Sequence, residues 1–80
     1  MDRIKELAGR IIIDSDIMVG KPVIKGTRLT VELILGLLVQ GMTVNEIIDD
    51  YPNLAPDDIY ACLAFAKKSL ENTSFMPLQY

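Results

Sequence analysis

The sequence predicts a mainly α-helical domain in which a short N-terminal β element precedes three helices in a helix-turn-helix arrangement. Three observations predict it. From Val31 onward, apolar residues recur at spacings of three and four, the period of a helix. Start and stop signals punctuate that region: Thr30, Thr43 with Glu46, and Pro56 at helix starts, Gly41 and Pro52 at helix ends. Upstream, the β-branched run Ile11-Ile12-Ile13 between Arg10 and Asp14 reads as a short buried strand.

Residues 2–9 suit one or two helical turns, with Asp2 as cap, Ile4, Leu7 and Ala8 on one face, and Gly9 as terminator. After the strand at Arg10–Asp14, Ser15 and Asp16 suit a turn. Val23-Ile24 is a second extended piece. Pro22 beside it has no N–H to give a ladder, so that piece is expected at an edge. Gly20 and Gly26 are expected to supply turn conformations that other residues resist. Domain limits follow as an extension at 1–9, one domain at 10–71, and a tail at 72–80.

The first of the three helices begins near Val31, with Thr30 as N-cap. Val31, Ile34, Leu35 and Leu38 form its apolar face, and Leu33 and Leu37 widen it. Such breadth marks a helix that is central or shared with a second chain. In the second helix, Thr43 and Glu46 have capping-box spacing. Val44, Ile47, Ile48 and Tyr51 form its buried face; Asn45, Asp49 and Asp50 stay wet. The third helix spans about Pro56–Glu71, with Asp57 and Asp58 at the positive end of its dipole. Ile59, Cys62, Leu63, Ala66 and Leu70 are its expected core face. Tyr60 and Phe65 flank that stripe, with Ala61 and Ala64 on the outer side between them. The apolar, aperiodic segment Ser74–Tyr80 packs back, folds on a partner or is disordered; the sequence leaves all three open.

The chain of 80 residues is one domain at most, and 50% of it is hydrophobic. A chain this short can bury only roughly 60% of its unfolded surface. Surplus apolar surface therefore points to an oligomer or partner interface, and Leu33, Leu37, Tyr60 and Phe65 are the candidate interface residues. Charge is divided: residues 1–30 carry six basic and four acidic groups, net +2, while residues 31–80 carry two and seven, net −5. Any phosphate-binding surface is thus expected in the N-terminal third. No leader peptide is expected, and the lone Cys62 on an apolar stripe reads as a core hydrophobe in a reducing cytoplasm.

Catalysis finds little support, the Asp-rich turns being all that speaks for an enzyme or metal protein, and no cofactor or metal is expected. The chain has no histidine, so it offers neither an imidazole base nor an imidazole ligand. Asp49-Asp50 and Asp57-Asp58 are helix neighbours whose side chains diverge by about 100°. Lys21, Lys25 and Arg28 with Gly20 and Gly26 resemble a phosphate cradle, but a P-loop requires lysine directly after its last glycine, where Thr27 stands. A glycine-punctuated turn with solvated lysines explains the segment better than nucleotide binding does, and an ion pair with Asp14 or Asp16 would explain Arg28. A DNA-reading helix presents cations or amides at its N-terminus, whereas the third helix presents Asp57 and Asp58, of the wrong sign for phosphate. Binding through the basic N-terminal segment stays open, as does a helical packing unit with no nucleic-acid role.

The run Gly20-Lys21-Pro22-Val23-Ile24-Lys25-Gly26-Thr27-Arg28 is the most specific motif. With Gly41-Met42-Thr43, Glu46-Ile47, Asp50-Tyr51-Pro52 and Asp58-Ile59, it resembles the bacterial domain-of-unknown-function family DUF433 over about residues 10–67. Two positions depart from that pattern, which has a second glycine where Val19 stands and a hydroxyl N-cap where Ala55 stands. The resemblance implies a homeodomain-like or winged-helix body and an antitoxin encoded beside a PIN-like nuclease toxin. Gly20, Lys21, Pro22, Gly26, Thr27 and Arg28 match the family signature; with Lys25 they are the candidate residues for binding a partner or nucleic acid. The expected function is a non-enzymatic, cytoplasmic, homodimeric binding module, either such an antitoxin or a DNA-binding autoregulator, with no membrane partner.

Overall fold

A computed structural model describes residues 3–71. In chain order it contains α1 (Arg3–Ala8), β1 (Ile11–Ile12), a 3₁₀ turn (Met18–Gly20), β2 (Val23–Ile24), α2 (Val31–Val39), α3 (Val44–Asp50) and α4 (Pro56–Glu71). The expected mainly helical architecture with a small N-terminal β element is present. The expected cap Asp2 and the tail 72–80 lie outside the described residues.

β1 pairs antiparallel with β2, Ile11 opposite Ile24 and Ile12 opposite Val23. The strand is shorter than the β-branched run: Ile13 is exposed, and Asp14 starts a turn in which its Oδ1 accepts from the Asp16 N–H at 2.9 Å. β2 is not an edge. Val23 bridges to Thr30 on its other side, and the Ile24 N–H donates to the Leu29 carbonyl at 2.9 Å. Pro22 permits this because it precedes the strand, where it contributes only its carbonyl, which accepts from the Val31 N–H at 2.9 Å. Val23 and Ile24, paired on both flanks, are both buried.

Local chemistry fixes the helices. The Thr30 hydroxyl accepts from the Leu33 N–H at 3.0 Å and starts α2. Gly41, at φ 96°, ends it: the Gly41 N–H reaches the Leu38 carbonyl and the Met42 N–H reaches that of Leu37, a Schellman pair. In α3 the full capping box forms. The Thr43 hydroxyl accepts from the Glu46 N–H at 3.1 Å, and the Glu46 carboxylate accepts from the Thr43 N–H at 2.9 Å. Those bonds hold the Glu46 carboxyl below its ordinary pKa.

The core joins Ile24, Val31, Ile34, Ile47, Leu54, Ile59 and Cys62. Each buried isoleucine contributes roughly 1.5–3 kcal/mol relative to exposure. On α4 the buried sector differs from the expected one. Ala61 is fully buried, whereas Leu63 is 43% and Leu70 63% exposed. The cause is α1, which packs along α4 on the alanine flank, while the core engages only the N-terminal half of α4. No helix among the described residues is long and apolar enough to cross a membrane.

Candidate binding surface

The segment Gly20–Arg28 divides into an inward part and a protruding tip. Gly20 (φ 77°) ends three consecutive left-handed residues, after Met18 (φ 49°) and Val19 (φ 58°). Lys21 is turned toward α2, its Nζ 3.3 Å from Glu32 Oε1. Pro22 and Thr27 serve the backbone. The Thr27 hydroxyl donates to the Ile24 carbonyl at 2.8 Å and accepts from the Leu29 N–H at 3.0 Å. The Thr27 N–H also donates to Ile24, closing a tight turn whose third residue is Gly26 at φ 82°. Only glycine adopts that angle at no steric cost.

Lys25, Gly26 and Arg28 form the tip of this hairpin, and all three are exposed. Lys25 donates its backbone N–H to the Arg10 carbonyl at 2.7 Å. Neither the Lys25 ammonium nor the Arg28 guanidinium has a carboxylate partner among the described residues. The ion pair expected between Arg28 and Asp14 or Asp16 is not formed: Asp14 is engaged with its own turn, and Arg28 lies at the far end of β2 from it. Lys21, Lys25 and Arg28 therefore do not converge on one cradle.

The acids at the start of α4 are held internally, a feature the sequence reading missed. Arg3 reaches Asp57 at 3.1 Å, and Arg10 reaches Asp57 at 3.8 Å and Asp58 at 3.0 Å. Asp58 is only 9% exposed, and its second oxygen accepts from the Ala55 N–H at 2.8 Å. That bond is one half of a capping box whose other half needs the hydroxyl that Ala55 lacks. Arg3 also sits over the Tyr60 ring, 5.6 Å from its centroid. The wrong-sign charges that argued against phosphate near α4 are thus offset by two arginines.

The candidate interface residues are scattered. Leu33 is exposed, Leu37 and Phe65 pack partly against the core, and Tyr60 is covered on one side by Arg3. Two apolar grooves adjoin Phe65. One, of about 380 Å³, lies between α1, β1 and α4 and is lined by Ile4, Ala8, Ile11, Ile13 and Ala64. The other, of about 440 Å³, lies between α2 and α4 and is lined by Pro22, Val31, Leu35, Ala66 and Leu70. Cys62 is buried; that burial, then the nearby Asp58 carboxylate, push its thiol pKa up to about 12. Among the described residues no three acidic or thiol side chains are grouped to hold a metal ion.

The family described as "Protein of unknown function (DUF433)" matches residues 11–66. The chain belongs to DUF433. No curated protein and no solved structure matches it. The DUF433 region runs from β1 to Ala66 within α4, and so takes in the hairpin, all of α2 and α3 and the Ala64–Ala66 part of the grooves' α4 walls, while α1 and the groove residues Lys68, Ser69 and Leu70 lie outside it. The Gly20–Arg28 motif falls wholly inside the DUF433 match.

Proposed function

We propose that this DUF433 protein is a cytoplasmic, non-catalytic binding module: the antitoxin partner of a PIN-like nuclease toxin. The observation that carries this reading is the uncovered apolar surface around Phe65, where two grooves adjoin and exposed Leu70 lines one of them. The exposed acids Glu46, Asp49 and Asp50 on α3 would assist encounter with a basic nuclease surface. Co-expression with the neighbouring gene product tests it. A stable complex with suppressed nuclease activity is expected; separate elution with undiminished nuclease activity removes the reading.

A second reading, a dimeric DNA-binding autoregulator, is favoured by a different observation. Lys25 and Arg28 are exposed without carboxylate partners among the described residues, and Asp57 and Asp58 are offset by Arg3 and Arg10. Fluorescence anisotropy on the protein's own promoter, with light scattering for the dimer, checks it. Binding that weakens steeply with salt supports it. Affinity indifferent to salt, or none, counts against it.

A further inference from the structure

We infer that the hairpin tip at Lys25–Arg28 is a contact for the phosphodiester backbone of duplex DNA, and that the start of α4 is not the element that reads bases. The inference rests on the autoregulator reading and specifies where and how DNA is held. The tip concentrates hydrogen-bond donors. Lys25 brings an ammonium and Arg28 a guanidinium, both without a carboxylate among the described residues. The backbone N–H groups of Gly26 and Arg28 are likewise without an acceptor there. Side-chain cations together with free backbone N–H groups are the usual partners of phosphate oxygens, and such contacts position a protein without reading sequence.

The tip is also held in shape before any ligand arrives. Thr27 spends its hydroxyl on Ile24 and Leu29, the turn closes through its N–H, and β2 is paired on both sides. Little ordering entropy remains to be lost on contact. A Cβ added at Gly26 would meet nothing within 4 Å, so the tip's own fold leaves that side open for close approach of a backbone. The start of α4 is different. Asp57 and Asp58 are occupied with Arg3 and Arg10, so that helix end offers bases neither free cations nor amides.

The experiment is salt-dependent anisotropy of the full chain on mixed-sequence duplex DNA, comparing wild type with K25A/R28A. Both side chains are exposed and unpaired among the described residues, so the variant should keep its far-UV circular dichroism spectrum and melting temperature. Removing two phosphate contacts should lower the slope of log K against log salt by about 1.8. K67A, at a residue already paired with Glu71 at 3.3 Å, should leave the slope unchanged. DNA binding with an undiminished slope in K25A/R28A overturns the inference and leaves the autoregulator reading standing. No DNA binding by wild type removes both. Polyglutamate binding that is lost in K25A/R28A, beside DNA binding that the same variant leaves intact, would make the tip an acidic-protein contact and overturn its assignment to phosphate.

Discussion

Replacing Val19 with glycine should stabilise this protein, although glycine ordinarily weakens a fold. Val19 sits at φ 58°, ψ 37°, in the left-handed region, between Met18 and Gly20, which are also left-handed. For an L-residue that conformation costs roughly 1–2 kcal/mol, and a β-branched side chain is among the least tolerant of it. The side chain gives little in return, being 94% exposed. Glycine removes the steric cost but frees the unfolded chain, an opposing effect of about 0.4–1 kcal/mol. The difference leaves a net gain of about 0.5–1 kcal/mol, equivalent to a rise of roughly 2–8 °C in a domain of this size. Urea unfolding followed by circular dichroism reads it as a higher midpoint at an unchanged m-value. Val19→Ala, which keeps a Cβ at the same φ, should move the midpoint far less. A lower midpoint for Val19→Gly, or an equal gain for Val19→Ala, would refute the strain argument.

Other outcomes follow from the same geometry. Ala55→Ser adds a side-chain acceptor at the start of α4, where the Asp58 N–H now bonds the Ala55 carbonyl at 2.9 Å, and should add about 0.5–1 kcal/mol in the same urea assay. Asp58→Ala strips the Ala55 N–H of its acceptor and Arg10 of the nearer of its two carboxylates and should cost about 2–3 kcal/mol, while Asp58→Asn, which keeps one carbonyl acceptor, should cost about half as much. Cys62 keeps its proton in the fold up to about 12, whereas an ordinary thiol ionises near 9. Its contribution is therefore complete below the ordinary value and is lost as pH rises through that interval, so Cys62→Ala should flatten the alkaline decline in stability relative to wild type. In native protein the thiol should resist alkylation at neutral pH and react only on unfolding, as a maleimide mass shift would record.

What could be read from the sequence was what is decided within a few residues. Thr30, the Thr43–Glu46 pair and Gly41 act on backbone groups two to five positions away, so their spacing is sufficient. The solvent sector of α4 is decided by something remote. Leu63 and Leu70 fit a helical stripe as well as Ala61 does, and only the docking of α1 selects between them. The arginine pairing of Asp57 and Asp58 was illegible for a similar reason, since Arg3 and Arg10 lie 54 and 48 positions from their partners. In the Gly20–Arg28 segment, the motif located the hairpin, but it did not distinguish Lys21, tied to Glu32, from Lys25 and Arg28, which are unpaired among the described residues. The edge expectation for β2 failed because Pro22 stands one residue outside the strand, where its missing N–H has no consequence.

The 48-position span between Arg10 and Asp58 also sets a timetable for synthesis on the ribosome. At ordinary translation rates the N-terminal arginine waits roughly 2–10 s for its carboxylate to be made. During that interval the Ile11–Ile13 run has no α4 to settle against. Until α4 is made, the ion pairs that tie the N-terminal segment to the start of that helix cannot form.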